Sequence, residues 1–240
     1  MTGLPRFLLF GALAALLALA VAGPLLRLLP GPGDRTLSPV ALPDHPLRIA
    51  ALGTSLTARA AWPDRLQAAL QACAPGATVQ RFAKAGARSD WGLAEAEAVL
   101  AHAPDLVIVE LVMNDADLTD GLMPWTSRST HRALLARLAA VSPAAVGPAP
   151  RVILLTVNPV RGWRSVTRPF LPLYQRAYGP LADESGAGLV DGLSLWQARG
   201  VDAAEVPDGV HPDPQVEAQV LEPALVAAVA QAYGVTCSPG

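Results

Sequence analysis

Four short stretches hold the side chains able to do chemistry: Gly53-Thr54-Ser55-Leu56-Thr57, Lys84-Ala85-Gly86-Ala87, Met113-Asn114-Asp115 and Pro207-Asp208-Gly209-Val210-His211-Pro212. A serine hydroxyl is a weak nucleophile until a base removes its proton, and histidine is the side chain poised to do so near neutral pH. Asp208 precedes His211 by three residues, so within one turn its carboxylate can reach Nδ1, fix the tautomer and stabilise the imidazolium. Pro207 and Pro212 bracket and stiffen that turn. Attack on a carbonyl creates an oxyanion, which needs preorganised donors. The backbone N–H groups of Ser55 and Gly86 and the amide of Asn114 supply three, and glycine allows close backbone approach to a ligand. Singly, each signal has a plainer reading: Ser55 as a helix N-cap, Asn114-Asp115 and Asp208-Gly209 as turns, His211 as a loop residue. It is their conjunction that speaks for chemistry.

That conjunction depends on the elements between them. Strand-like runs occur at Leu47–Leu52, Thr78–Ala83, Asp105–Val112, Arg151–Val157 and Gly188–Asp191. Helical stretches are expected over Trp62–Cys73, Ser89–His102, Thr130–Val141, Phe170–Ser185 and Pro214–Tyr233. The run DLVIVELV is apolar throughout, as a central parallel strand buried on both faces must be. Alternating strands and helices indicate an α/β sandwich with a mostly parallel, five-stranded sheet. In such sheets ligands bind beyond the carboxyl ends of the strands. Three of the four stretches directly follow a strand, and the fourth precedes the last helix.

Ser55, Gly86, Asn114 and His211 stand in the order and context of the SGNH (GDSL-like) hydrolases, which the chain resembles from about residue 47 to 235. GTSLT resembles their first block, KAGA the second, VMNDA the third and DGVHP the last. The resemblance implies a flavodoxin-like three-layer α/β/α fold, with Ser55, Asp208 and His211 as catalytic triad and Ser55, Gly86 and Asn114 as oxyanion hole. It implies a serine esterase cleaving acyl esters without a cofactor or metal. An O-acyltransferase or deacetylase acting on cell-envelope glycans, and a non-catalytic glycan-binding module, are the alternatives. Two positions depart from the family pattern. Thr54 replaces the usual Asp, and Val112 stands where the third block begins with Gly, so it is expected to narrow the pocket and disturb Asn114.

The segment after the fourth strand overhangs the same rim, and Arg161, Trp163, Arg164 and Arg168 in it are candidates to grip an anionic or glycan substrate. Asp115, Asp117 and Asp120 read as cap or loop carboxylates, and His45, His102 and His131 as surface residues. A G-x-S-x-G elbow, a Walker A loop, a strand-linked G-x-G-x-x-G and an H-E-x-x-H pair are all lacking.

Of 240 residues, 52% are hydrophobic and only 16% charged, which excludes disorder for the body of the chain. A net charge of −2 provides no field for nucleic acid. Phe7 to Leu26 carries no charge, between Arg6 and Arg27, and also contains Ala20-Val21-Ala22. Residues 1–28 are therefore either a cleaved signal peptide or an uncleaved membrane anchor, with the length favouring the anchor. Residues 29–46 read as a Pro/Gly-rich linker and 236–240 as a tail. The domain is then exported, either periplasmic or held at the inner membrane facing the periplasm, and is expected to act as a monomer on an acyl ester, glycan or lipid. Cys73 ends the first expected helix and Cys237 follows the last, and the two helices can share one face of such a sheet, so export makes a disulfide between them an expectation.

Overall fold

The computed structural model describes residues 24–140, 148–200 and 202–237; the expected signal peptide or anchor falls mostly outside them. Five strands, β1 (Arg48–Gly53), β2 (Thr78–Ala83), β3 (Leu106–Glu110), β4 (Arg151–Leu155) and β5 (Gly188–Val190), form one sheet in the order β2-β1-β3-β4-β5. Every pairing is parallel. The longer helices are α1 (Trp62–Leu70), α2 (Ser89–Ala101), α3 (Pro124–Ala139), α4 (Leu171–Arg176), α5 (Tyr178–Ser185), α6 (Gly192–Arg199) and α7 (Pro214–Ala232).

Side chains alternate across the strands, so two cores form. Ala50, Leu52, Val107, Val109 and Leu154 meet Val99, Leu134, Leu138 and Leu181 from α2, α3 and α5. Ile49, Ala51, Leu106, Ile108, Ile153 and Leu155 meet Leu66, Leu70, Trp196, Leu225 and Val229 from α1, α6 and α7. Both faces of β3 are thereby covered, and all five of its residues are buried.

Two helices differ from their sequence reading for identifiable reasons. The stretch expected as one helix from Phe170 to Ser185 is α4 and α5, joined at Ala177. Pro180 has no N–H to return to the carbonyl of Arg176, so the ladder breaks there. Helix α3 begins six residues before Thr130, with Pro124 in its first turn. Its inward stripe, Ser127, His131, Leu134 and Leu138, is half polar, which hid it from a hydrophobic pattern.

In place of a free linker, the chain before β1 lies along β5. Arg35 and Leu189 exchange both backbone hydrogen bonds, and Asp34 Oδ1 accepts from the N–H of Asp191 at 2.7 Å. Gly31 and Gly33 donate to Ser194 Oγ and Asp191 Oδ2, and Leu37 enters the core. The outer edge of β5 is thus covered, which protects an otherwise unpaired edge.

Cys73 and Cys237 are disulfide-bonded, with Cα atoms 5.1 Å apart and 164 residues of separation. Closing a loop of that length stabilises by at most about 5 kcal/mol through the unfolded state. Reduction, or the Cys73→Ser/Cys237→Ser pair, is expected to lower Tm by several degrees with the fold retained; an unchanged Tm in a thermal melt would contradict this.

Candidate active site

Register explains why distant loops meet. Gly53 pairs with Ala83 on one side and with Glu110 on the other. The chain segments leaving β1, β2 and β3 therefore start side by side: Thr54-Ser55, Lys84 to Gly86, and Leu111 to Asn114.

Ser55 opens a single helical turn, Ser55–Ala58, capped by Thr54, whose Oγ1 accepts from the N–H of Leu56. At the first position of that turn the N–H of Ser55 has no intrahelical acceptor. The hydroxyl of Ser55 donates to Nε2 of His211 at 2.7 Å, and Nδ1 of His211 donates to Asp208 Oδ2 at 2.6 Å. Asp208 Oδ1 also accepts from the backbone N–H groups of Val210 and His211 at 2.9 and 2.8 Å. Partial burial alone would raise the Asp208 carboxyl, but those N–H groups and the imidazole outweigh it and hold the group down at about 2. The carboxylate is therefore ionised across the range in which an imidazole titrates. A proton can pass from Ser55 to Nε2 of a ring whose Nδ1–H already faces a carboxylate, ready to balance the imidazolium charge.

The turn bearing His211 is fixed from three sides. Asn158, buried at the end of β4, donates to the carbonyl of Val210 at 2.8 Å. Arg161 donates its backbone N–H to the carbonyl of Gly209 at 2.9 Å. Gly209 has φ +79°, and a Cβ there would sit 2.5 Å from the Arg161 carbonyl, so both conformation and approach require glycine. Asp213 then caps α7 through the N–H of Gln215, with Pro214 in the first turn.

Gly86 also lies at positive φ, +77°, with open space on its Cβ side. Asn114 uses one amide hydrogen on the carbonyl of Ala87 at 2.8 Å, which ties the β3 loop to the β2 loop and leaves its second hydrogen for a ligand. Val112 does not disturb it: the residue sits in a helical turn, Val112–Asp115, and its side chain is in the core. No glycine-only backbone is needed there. Asp115 binds the same two loops together, its Oδ1 accepting from the N–H of Ser89 at 2.8 Å and its Oδ2 from Ser127 Oγ at 2.6 Å.

His131 corrects the surface reading. It is 1% exposed, between Tyr178 Oη at 2.9 Å from Nε2 and the carbonyl of Ser127 at 2.9 Å from Nδ1. Burial pushes its imidazole below the ordinary 6.5, against the pull of Asp115. A neutral ring donating from Nδ1 satisfies both partners. Tyr178 Oη in turn accepts from the N–H of Leu111, so the network ends on the loop carrying Asn114.

Arg168 is a second correction. It is buried, its Nε donating to the carbonyl of Met113 at 3.0 Å and its Nη2 paired with Asp117 at 2.6 Å. It therefore holds the loop beyond Asn114. Trp163 and Arg164 are exposed, and Arg161 is half-buried, with its backbone against the Gly209 turn.

One acidic residue went unread because it sits inside the apolar run DLVIVELV. Glu110 ends β3 fully buried, and its Oε2 accepts from Thr54 N, Thr54 Oγ1 and Thr57 Oγ1 at 3.1, 2.8 and 3.0 Å. One oxygen thus grips the residues on both sides of Ser55, a role open to Thr54 through its hydroxyl donor. The only visible signal was the lone carboxylate itself, since a buried acid must find partners. Burial raises Glu110 to about 7, against the pull of its three donors. Glu217 on α7 is raised to about 8, by burial first and then by Glu110. Glu217 lines a cleft of about 30 Å3 with Ser55, Arg59, His211, Pro212 and Pro214. A larger cavity of about 170 Å3, lined by Val160, Leu171, Leu193 and Trp196 together with Arg161 and Arg168, touches neither Ser55 nor His211.

Known proteins sharpen this picture. The model of the GDSL-like lipase/acylhydrolase family matches residues 50–218. The chain belongs to that family. It is an acyl-ester hydrolase, and its fold matches solved esterases of the SGNH type. The crystal structure of TesA is 25% identical, covering 75% of this chain and 99% of its own, with a TM-score of 0.58. The native M. smegmatis aryl esterase is 20% identical over 78% of this chain and 99% of its own, at a TM-score of 0.63. A carbohydrate acetylesterase family member from Sinorhizobium meliloti is 22% identical over 78% and 99%, at 0.62. No curated protein sequence matches the enzyme.

The buried acid makes a pH prediction. Glu110 binds its proton more tightly folded (about 7) than at its ordinary 4.5, so the folded state holds the extra proton between these values. That contribution is complete below about pH 4.5 and is lost as pH rises through about 7. Relative to Glu110→Gln, wild-type stability in denaturant titrations should therefore fall across that window, and a constant difference would contradict a buried titrating acid.

Proposed function

We propose that Ser55 is the nucleophile of an exported carboxylic ester hydrolase. The observation that carries this reading is the continuous hydrogen-bonded line from Ser55 through His211 to Asp208. As Ser55 Oγ attacks the acyl carbon, His211 Nε2 takes its proton and Asp208 stabilises the resulting imidazolium. The carbonyl oxygen, now negative, is held by the N–H groups of Ser55 and Gly86 and the free amide hydrogen of Asn114. Collapse expels the alcohol, which leaves with the proton from His211. Water, deprotonated by the same ring, then attacks the acyl-enzyme and releases the carboxylic acid. Export is supported by the uncharged run from Phe7 to Leu26 and by the disulfide, which persists in oxidising compartments.

A second reading narrows the substrate. The cleft of about 30 Å3 beside Ser55 is small, which favours short acyl groups such as acetyl and so deacetylation of a sugar hydroxyl. The acetylxylan esterase from Geobacillus stearothermophilus and the Sinorhizobium meliloti carbohydrate acetylesterase have this fold. Transfer of the acyl group to a glycan hydroxyl would use the same triad, whereas a binding module would have no need of one.

A fluorophosphonate probe is expected to label wild type at Ser55 and to spare Ser55→Ala. His211→Ala should lower kcat on p-nitrophenyl acetate by about 10⁴-fold or more, with KM little changed and EDTA without effect. Labelling absent from folded wild type would leave only the binding module. Turnover of p-nitrophenyl acetate should exceed that of the octanoate by about tenfold or more, and the reverse order would exclude the acetyl reading.

A further inference from the structure

Seven large apolar side chains are more than half exposed among the described residues, and all of them sit on segments around the mouth of the active site. Leu25 and Leu28 flank Arg27, whose guanidinium donates to the carbonyl of Ser165 at 3.0 Å. Trp163 and Val166 stand on that same loop, which packs on the Gly209 turn beside His211. Leu118 follows, its N–H bonded to the carbonyl of Thr167 at 2.8 Å, and leads to Met123 and Trp125. That loop closes on Asn114: a Cβ at Gly121 would lie 2.9 Å from its carbonyl oxygen. The apolar groups thus flank the reacting atoms on two sides.

We propose that this rim docks on a lipid bilayer, so that the active site opens toward the membrane surface and takes acyl esters carried by membrane-resident molecules. Three features select a bilayer as the occupant. The run from Phe7 to Leu26, twenty residues without a charge, joins the fold at Leu25 and Leu28, inside the patch itself. A segment of that length suits a bilayer core, and it delivers the rim to the surface it enters. Two tryptophans stand among aliphatic side chains, as side chains at a lipid interface do. Arg27 and Arg164, both exposed, sit among them and offer paired donors to phosphate headgroups. In water, an apolar patch of this extent would be a liability.

This inference names the substrate class of the proposed serine esterase and rests on that reading. Its test uses the full chain in vesicles of three parts phosphatidylcholine to one part phosphatidylglycerol, with brominated acyl chains that quench tryptophan on contact. Wild type should be quenched more than the Trp125→Phe/Trp163→Phe variant, since of the three remaining tryptophans Trp62 and Trp196 are buried and Trp91 is partly buried against the core. Equal quenching would overturn the docking, as would a patch protected only by another protein. In the same vesicles, Leu28→Asp/Val166→Asp should hydrolyse an acetylated dialkylglycerol about tenfold more slowly, with p-nitrophenyl acetate turned over at the wild-type rate. No selective loss would overturn the substrate class. If wild type cleaved neither ester, the esterase reading would fail, while the quenching would still decide the docking.

Discussion

A single hydrogen bond, from the hydroxyl of Ser55 to the imidazole of His211, joins parts of the chain 156 residues apart. Neither turn can place its side chain alone, and an error of about 1 Å in such geometry costs on the order of 10²-fold in rate. Much of the surrounding structure serves this distance. On one side, Glu110 fixes the turn of Ser55 through the two flanking threonines. On the other, Asn158 and the Arg161 backbone fix the turn of His211. Both sets of supports grow from strand ends of one sheet, which is stiff because its core is packed on both faces.

The supports are polar groups in places where burial is costly. Asp115, His131 and Tyr178 are all buried, and each is tolerated because partners replace the lost water. Glu110 and Glu217 are an exception in kind. Burial makes both resist ionisation, and the charge of Glu110 adds to it for Glu217. The acid that grips the Ser55 turn thus changes charge close to neutrality, in contrast to Asp208, which remains ionised. One rim holds carboxyl groups pushed in opposite directions by their surroundings, the donors of the 208–211 turn in one case and the apolar interior in the other.

Outside the site, a covalent bridge and a covered sheet edge hold the fold together. The disulfide ties Cys73, just past the end of α1, to Cys237, a few residues beyond α7, two helices packed side by side on one face. The stretch from Gly31 to Leu37 fastens onto the edge of β5, so the segment that follows the apolar N-terminal run is part of the folded body.

The sequence determined the order of strands and helices, because period and composition are local properties. It determined the four reactive stretches too, because turns at strand ends need glycine, asparagine and aspartate whatever lies across the sheet. Asp208 and His211 were legible as a pair for the same reason, being three residues apart on one turn. Tertiary structure alone decided which buried polar residues hold those turns in place. Glu110 was concealed in an apolar run, His131 read as a surface residue and Arg168 as a substrate contact, because their partners come from other elements: Thr54, Tyr178 and Asp117. Whether a polar side chain faces solvent or an interior partner is set by long-range packing, which no local spacing encodes.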